Sequence, residues 1–335
     1  MATLAFVGVA HIHTPGFIKQ IQKYKDGQIV VKSVWDHDAA RAQQRAGDLN
    51  AQVVDDFKKI YADPEIEGVI ICSETNRHEE LIVPAADAHK KFIYAEKPLG
   101  VGSKDAHAVA DALEKSGATF QTGYFMRGFP VNQFIKQAIA DGKFGKVTRA
   151  RYSNCHSGAL GGWFDKEWRW MADPKQAGVG GFGDLGTHGL DILMWWLGDV
   201  ANCTAALDNG TARYSDCDEL GEGIIRFKNG TIATLAASWD DVANPVEAEI
   251  CGTEGHAVVI NGKLFYQSKH DKGSDIKTQW EELPPAKHAG FEALLDAVSG
   301  KPADLVTVRE AAARSAVMEA MYLSAKKQAN VPVDG

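Results

Sequence analysis

The chain has 335 residues, of which 45% are hydrophobic and 24% charged, and a formal net charge of -8. This composition excludes a disordered chain and is sufficient for two domains with separate cores. The acidic balance argues against a nucleic-acid partner, and no apolar run approaches the ~18 residues of a membrane span. We therefore expect a small-molecule substrate and neither nucleic acid nor membrane as a partner.

The cysteines argue against a secreted protein. Five of them are scattered along the chain without the pair spacing of a metal site: Cys72, Cys155, Cys203, Cys217 and Cys251. An odd, scattered set makes a disulfide framework improbable and fits a reducing compartment. The N-terminal stretch Thr3 to Ala10 is also more typical of a strand than of a signal peptide. We predict a cytoplasmic location.

The first half of the chain alternates apolar strands with amphipathic helices. The predicted strands are Thr3 to Ala10, Ile29 to Trp35, a short one around Val53, Gly68 to Cys72, Phe92 to Ala95 and Ala118 to Tyr124. The predicted helices begin at Pro15 and Asp38 and then span Asp56 to Tyr61, His78 to Lys90 and Ser103 to Lys115. This alternation predicts an α/β domain with a doubly wound parallel sheet.

The turn after the first strand is a candidate phosphate-binding site. Thr14 is predicted as the helix N-cap and Pro15 as the first helical residue, so free N-H groups would face a pyrophosphate. The dinucleotide fingerprint expects glycines at positions 8, 10 and 13, and here only Gly8 is present. The match is weak, and the histidines of the turn can equally serve only to shape it. The candidate cofactor contacts are Gly8, Ala10, His11, Ile12 and His13.

The second predicted strand ends in Asp36, ~20 residues beyond the turn, where a carboxylate can accept hydrogen bonds from the adenosine ribose. A carboxylate there repels a 2'-phosphate, which favours NAD over NADP. Asp36 can alternatively be a solvated strand end. A second candidate cofactor loop follows the strand that ends at Cys72, although it can equally be a polar loop with a helix cap; its residues are Ser73, Glu74, Asn76 and His78.

Lys97 lies at the mouth of the next strand. Glu96 and Lys97 interrupt the apolar run from Phe92 to Ala95, and Pro98 pushes Lys97 towards extended geometry. An ammonium group in this place can donate hydrogen bonds to an alcohol or carbonyl oxygen. The alternative is an ordinary salt bridge that ends the strand before a proline turn.

From residue 125 onwards the pattern changes to longer strands with period-two character. A helix from Pro130 to about Asp141 precedes predicted strands at Val147 to Cys155, Gly223 to Phe227, Thr231 to Trp239, Val246 to Cys251 and Ala257 to Ile260. Asn229-Gly230 indicates a hairpin, and a late helix is predicted from Arg309 to about Lys327. We predict residues 1–124 as one domain and 125–335 as a second α/β domain with a large, mostly antiparallel sheet.

A glycine-rich segment from Gly178 to Asp191 carries the main chemical constellation. If it is helical from Asp184, then Asp184 and His188 share one face, with Asp191 three residues further on. A carboxylate beside an imidazole fixes its tautomer and suits a general base for an alcohol proton. Alternatively Asp184 is only a cap with His188 in a polar core, or the three residues bind a metal. We favour the general base and predict no metal site.

The order of the Gly8 turn, Asp36, Glu96-Lys97-Pro98 and the Asp184 and His188 pair resembles the Gfo/Idh/MocA family of glucose-fructose oxidoreductase and inositol dehydrogenase. The resemblance covers most of the chain. It implies a Rossmann domain, an open-faced α/β domain that often forms dimers or tetramers, and NAD as cofactor. It further implies that Lys97, Asp184 and His188 are catalytic and that Glu96 meets the nicotinamide ribose. Lys97 is also a candidate cofactor contact.

The implied reaction is hydride transfer between nicotinamide and a secondary hydroxyl or ketone of a sugar, glycoside or cyclic polyol. Candidate substrate contacts, besides the three catalytic residues, are Tyr124, Arg127, His156, Trp163, Trp168 and Arg169, although such an aromatic segment can equally be core or subunit interface. Two alternatives remain open. One is an NAD-dependent glycosidase that acts by transient oxidation and elimination, and the other is a non-catalytic NAD-binding sensor.

Overall fold

Two β-sheets organise the computed structural model, which describes residues 2–24 and 28–333. Packing divides the chain into two compact units. The first holds Met1–Phe125, Lys175–Gly178 and His288–Ser315, and the second holds Met126–Pro174, Val179–Lys287 and Ala316–Gly335. The first unit thus includes two later segments, whereas the sequence prediction assigned every residue after 124 to a second domain.

The strands of the first unit form a parallel sheet in the order β3-β2-β1-β4-β5-β6 within the described residues. They are β1 Ala2–Val9, β2 Ile29–Trp35, β3 Gln52–Val53, β4 Gly68–Cys72, β5 Phe92–Ala95 and β6 Thr119–Thr122. The helices between them are α1 Thr14–Lys23, α2 Ala39–Leu49, α3 Phe57–Ala62, α4 His78–Asp87 and α5 Ser103–Ser116, with a 3-10 helix at Thr75–Arg77. The predicted doubly wound parallel sheet is confirmed.

The central strands β1, β4 and β5 are buried on both faces, which explains why they are nearly continuous apolar runs. Ala5 and Val7 of β1 belong to one hydrophobic core, and the alternating residues Leu4 and Phe6 belong to another. Side chains of successive strand residues point to opposite faces, so one strand serves two cores. The carboxyl ends of β1, β4 and β5 lie side by side, which brings the turns that follow them together.

The second unit contains a mixed, largely antiparallel sheet in the order β13-β12-β11-β7-β10-β9-β8-β14 within the described residues. Its strands are β7 Val147–Cys155, β8 Val200–Asp208, β9 Leu220–Phe227, β10 Ile232–Ser238, β11 Val246–Gly252, β12 Gly255–Ile260, β13 Lys263–Ser268 and β14 Val331–Pro332. The remaining helices of the chain are α6 Pro130–Ala140, α7 Pro174–Ala177, α8 Gly181–Leu197, α9 Phe291–Val298 and α10 Val308–Lys327, with 3-10 helices at Phe125–Gly128 and Arg169–Ala172.

One face of the second sheet is covered by α8, and the opposite face is open. Strand β9 alternates strictly between buried and exposed residues, with Ile225 and Phe227 buried. On the open face Ile224 is 55% exposed and Ile232 is 37% exposed. The Asn229-Gly230 hairpin joins β9 and β10 as predicted, and β10 pairs in parallel with β7 on its other side.

One predicted detail of the first turn is wrong. Thr14 is the first residue of α1 rather than its N-cap; His13 takes the N-cap position, and its side chain makes no capping hydrogen bond. Asp38 does cap α2 by accepting hydrogen bonds from the N-H groups of Ala40 and Arg41. Among the described residues, no helix combines the length and the apolar character needed to cross a bilayer.

Candidate functional site

The turn from β1 into α1 has the backbone geometry of a phosphate-binding turn. Gly8 has φ +86°, and a Cβ at this position would lie 2.6 Å from the Cβ of Ser73. Conformation and space therefore both require glycine here. Ala10 and His11 are buried, Ile12 and His13 are half-buried, and α1 begins immediately afterwards with Pro15 in its first turn. The turn thus leads directly into a helix N-terminus, where anions bind favourably.

Asp36 holds this turn in place. Its buried carboxylate accepts hydrogen bonds from the backbone N-H of Val9 at 2.7 Å, from the N-H of Asp38 at 2.8 Å and from Nη2 of Arg41 at 2.7 Å. Buried carboxylates require such partners because an unpaired buried charge is very costly. The predicted contact of Asp36 with an adenosine ribose stays a prediction.

Arg41 links Asp36 to the second candidate cofactor loop and was missed by sequence reasoning. Its Nη2 also lies 2.8 Å from Oε1 of Glu74, so one guanidinium is shared by two buried carboxylates. Glu74 is 33 positions further along the chain than Arg41, and the strand order β2-β1-β4 brings the segments after β2 and β4 together. The sequence signal was the basic residue just after the acidic end of β2.

The other residues of this loop differ in accessibility. Asn76 is exposed in the 3-10 helix, whereas Ser73 is buried and donates its hydroxyl to the carbonyl of Glu74. His78 is also buried, with Nδ1 3.3 Å from the carbonyl oxygen of Leu99. Burial lowers the pKa of His78, so the imidazole is neutral near pH 7. These contacts give His78 a structural role within the first unit.

Glu96 is the centre of the polar cluster in the first unit. Its fully buried carboxylate accepts a hydrogen bond from the backbone N-H of Lys97 at 2.9 Å and lies 3.0 Å from Nδ1 of His13. Nδ1 of His11 is 3.8 Å away. Burial by itself raises the pKa of Glu96, but electrostatic interaction with His11 and His13, the hydrogen bond with His13 and the charge of Lys97 outweigh it and hold the pKa well below its ordinary value. Glu96 is therefore ionised near neutral pH.

Lys97 is the second residue after β5 and is only 3% exposed. The Lys97-Pro98 peptide bond is cis. The turn after β6 packs closely against this segment, since a Cβ on Gly123 would lie 2.7 Å from Oε2 of Glu96. A cavity of about 430 Å³ opens beside Glu96 in the first unit, with His13, Phe17 and Tyr94 among its lining residues. This volume falls within the range of small-molecule and cofactor pockets.

In the second unit, α8 carries the predicted aspartate and histidine. The helix begins at Gly181, three residues earlier than predicted, and places Asp184 in its first turn and His188 one turn later. Oδ2 of Asp184 accepts a hydrogen bond from Nε1 of the buried Trp239 at 3.1 Å. His188 is 4% exposed. The spacing of four residues on a regular helix places both side chains on one face, as the general-base hypothesis requires.

Asp191 and Arg127 form a separate ion pair on the same unit. Oδ1 and Oδ2 of Asp191 accept from Nη2 and Nε of Arg127 at 2.6 and 2.8 Å, and Asp191 is 1% exposed. This bidentate arrangement is the strong form of a carboxylate and guanidinium contact. It gives both residues a structural partner. The candidate substrate role of Arg127 stays a prediction.

The glycines before Asp184 allow the start of α8 to pack against the chain's own backbone. A Cβ on Gly180 would lie 2.3 Å from the carbonyl oxygen of Asp218, and one on Gly181 would lie 2.3 Å from that of Glu219. Sequence reasoning left open whether these glycines admit a ligand or another chain. In the structure, the absence of side chains at Gly180 and Gly181 leaves room for the backbone of Asp218 and Glu219, which precede β9.

Tyr322 and Asp218 complete the N-terminus of α8, and neither was singled out from the sequence. The Tyr322 hydroxyl accepts hydrogen bonds from the N-H groups of Gly180 at 2.9 Å and Gly183 at 3.0 Å, and it donates to Oδ2 of Asp218 at 3.1 Å. The same oxygen of Asp218 accepts from the N-H of Phe182 at 2.9 Å. Three backbone donors of the helix start are thereby satisfied.

The aromatic segment from Trp163 to Trp170 divides between surface and core. Trp163 is 46% exposed and its ring centroid lies 4.6 Å from that of His156, whereas Trp170 is buried. Trp168 is half-buried, and the exposed Arg169 lies over the Tyr214 ring at 5.0 Å. Trp163 and His156 thus remain the accessible pair of this segment.

Tyr124 is the one substrate candidate from the first unit other than Lys97. It is 1% exposed and belongs to a hydrophobic core of that unit. Packing in this core accounts for an aromatic residue just after β6 without any contact to a ligand. Its predicted substrate contact stays a prediction.

Two family comparisons cover most of the chain. Residues 2–124 match a sequence model described as the oxidoreductase family with an NAD-binding Rossmann fold, and residues 132–258 match the GFO/IDH/MocA C-terminal domain. These two matched segments are the regions that carry the Gly8 turn, Glu96 and Lys97 on one side and Asp184 and His188 on the other.

Similar proteins include sugar and polyol dehydrogenases. The chain is 27% identical over 257 residues to levoglucosan dehydrogenase from Pseudarthrobacter phenanthrenivorans, covering 67% of this chain and 62% of that protein. It is 27% identical over 261 residues to scyllo-inositol 2-dehydrogenase (NAD(+)) from Bacillus subtilis, covering 72% and 71%. A solved levoglucosan dehydrogenase in complex with NADH and levoglucosan has the same fold, with a TM-score of 0.83, 20% identity and 100% coverage of both chains.

Proposed function

The chain belongs to the Gfo/Idh/MocA oxidoreductases, and from this premise we propose that it transfers a hydride between NAD and a secondary hydroxyl or ketone of a sugar, glycoside or cyclic polyol. The observation that carries the proposal is the buried, ionised Glu96 followed by Lys97 at the carboxyl end of β5. Ligands of open α/β sheets bind at the carboxyl ends of the strands. The similarity to levoglucosan dehydrogenase and scyllo-inositol 2-dehydrogenase supports a sugar or polyol as substrate.

The residues of the first unit fit a dinucleotide. The Gly8 turn leads into the N-terminus of α1, where backbone N-H groups and the helix dipole favour a pyrophosphate. The neighbouring carboxylates Asp36 and Glu74 favour NAD over NADP because they repel a 2'-phosphate. When bound, the cofactor supplies the hydride acceptor or donor. Glu96, with His13 beside it, is proposed to bind the nicotinamide ribose.

Three residues are proposed to act on the substrate hydroxyl. His188 takes the hydroxyl proton as general base, and Asp184 orients the imidazole and stabilises the imidazolium that forms. Lys97 donates a hydrogen bond to the substrate oxygen and stabilises negative charge that develops on it. Trp163 and His156 are proposed to contact the sugar, because the exposed indole offers a flat apolar surface and the half-buried imidazole lies beside it at a ring-centroid distance of 4.6 Å.

The decisive experiment is a panel of aldoses, glycosides and inositols assayed for NAD- or NADP-linked absorbance change. Lys97→Ala and His188→Ala should each lower kcat by ~100-fold or more while NAD binding is retained. Lys104→Ala, at an exposed position of α5, is a matched control that should leave kcat unchanged. Parental rates in the first two variants would contradict the assignment.

The same panel separates the alternatives. Appearance of NADH in proportion to oxidised sugar supports the dehydrogenase, and release of an aglycone without net NADH supports the glycosidase. Tight NAD binding without turnover of any compound supports a sensor.

We further propose a homodimer or homotetramer formed through the open face of the second sheet. The exposed Ile224 and Ile232 on this face support it, since apolar residues there are more readily covered by a second copy than left in water. Light scattering after size exclusion tests the mass, and Ile224→Glu should shift it towards the monomer.

All five cysteines are free thiols, which supports the proposed cytoplasmic location. Cell fractionation tests it.

A further inference from the structure

A cluster of potential metal ligands lies on the open face of the second sheet, on strands β11 and β12. Cys251 of β11 is directly opposite His256 of β12 in the antiparallel pair, and Glu249 lies two residues before Cys251. Residues two apart on a strand share a face, and cross-strand partners share it too. The ligand atoms of all three residues lie within 4.8 Å of one another, and each residue is half-buried.

The separations between the ligand atoms fit a tetrahedral zinc site. Sγ of Cys251 is 3.6 Å from Oε1 of Glu249, and Nε2 of His256 is 3.5 Å from the same oxygen. Zinc bonds of about 2.3 Å to sulfur and about 2.0–2.2 Å to nitrogen and oxygen, at the tetrahedral angle, give edges of about 3.6 Å for sulfur to oxygen and about 3.4 Å for nitrogen to oxygen. Two edges of the tetrahedron are thus already present.

We propose that Glu249, Cys251 and His256 bind a divalent zinc-type cation as three of its four tetrahedral ligands. The donor set of one thiolate, one imidazole and one carboxylate suits Zn²⁺ rather than Mg²⁺ or Ca²⁺, which prefer oxygen ligands. Nη2 of Arg149 is 3.4 Å from the Cys251 sulfur, and this exposed side chain turns away when the cation binds. The proposal is independent of the proposed hydride transfer, and it departs from the sequence prediction of no metal site.

This cluster could not be predicted from the sequence, because the spacing of Glu249, Cys251 and His256 does not follow a known metal-binding motif. Cys251 and His256 are separated by the turn between β11 and β12, and only the register of the hairpin sets the imidazole opposite the sulfur. A one-residue shift in that register would place the two side chains on opposite faces of the sheet.

The test is a Co²⁺ titration of the full-length protein, followed by absorption. Binding of one equivalent should produce a thiolate-to-cobalt charge-transfer band together with visible bands of tetrahedral cobalt, and Zn²⁺ should displace it. Cys251→Ser should abolish the charge-transfer band. His256→Ala and Glu249→Gln should each weaken binding by about 10-fold or more, since loss of outer-shell partners alone costs ~10–100-fold.

Matched controls are available within the same unit. Cys155→Ser removes another half-buried thiol. His270→Ala removes a histidine whose Nε2 lies 2.5 Å from a carboxylate oxygen of Glu254, outside the proposed zinc site. Both controls should bind Co²⁺ as the parent does. Circular dichroism checks that each variant is folded. Persistence of the charge-transfer band in folded Cys251→Ser, or no stoichiometric Co²⁺ binding by the reduced parent, would overturn the proposal.

Discussion

Tyr322→Phe tests how the start of α8 is held, because it deletes a single oxygen with three hydrogen-bond partners. The hydroxyl accepts from the N-H groups of Gly180 and Gly183 and donates to Asp218. Phenylalanine preserves the ring and its packing but leaves both backbone donors without this acceptor. A buried donor that loses its partner costs about 1–3 kcal/mol, so two predict a loss of ~2–4 kcal/mol in the free energy of unfolding if water partly replaces the hydroxyl.

Urea unfolding followed by tryptophan fluorescence and circular dichroism measures this loss. The matched control is Tyr61→Phe in the first unit, where a buried hydroxyl donates a hydrogen bond to the carbonyl of Leu81 at 2.7 Å. That variant should lose only about 1 kcal/mol. If hydride transfer proceeds as proposed, Tyr322→Phe should also lower kcat more than KM changes, because Asp184 and His188 are carried by the same helix. Equal stability losses in the two variants would refute the reasoning.

Three further predictions concern charged groups. Glu74→Gln should raise NADP-linked relative to NAD-linked kcat/KM by ~10-fold, measured with both cofactors, because Arg41 keeps its charge while one of its two carboxylate partners is lost. The lowered pKa of Glu96 means that its contribution to stability is present above the ordinary value of 4.5 and is lost as pH falls, so Glu96→Gln should show a smaller change in urea midpoint between pH 7 and pH 4 than the parent. Burial first, and then the charge of Glu219, raises the pKa of Asp240 to about 6; its stabilising contribution is therefore lost as pH rises through that value, and Asp240→Asn should raise Tm at pH 8 but not at pH 4.

The first sheet was predictable because its signals are local. The strands Ile29–Trp35 and Gly68–Cys72 have the predicted bounds, since both are rich in β-branched apolar residues and are followed directly by a polar residue. In the second unit, Val200–Asp208 was missed because its alternation of buried and exposed residues includes alanines, asparagine and threonine. The short apolar helix Phe291–Val298 was also missed, because periodicity over eight residues is a weak signal.

Of the candidate site, only the residues that stand in local motifs could be predicted from the sequence. Lys97, Asp184 and His188 stand in recognisable local patterns, and the structure places Lys97 at a strand end and the other two on one helix. Arg41, Tyr322 and Trp239 were not found, because each acts through a partner far away in sequence: Glu74, Gly180 and Asp184. Contacts of this kind depend on strand order and helix placement, which residue patterns do not specify.

Residues 288–315 belong to the first unit, so this unit cannot finish folding until late in synthesis. The Phe291 ring stacks on Phe17 at 4.3 Å and meets Tyr94 at 5.0 Å, while Ala311 and Ala312 join the core on the other face of the sheet. A fragment that stops at residue 124 therefore lacks covering side chains on both faces and should be poorly soluble when expressed alone. On the ribosome, the part of the protein that is begun first is finished only after nearly all of the second unit has emerged.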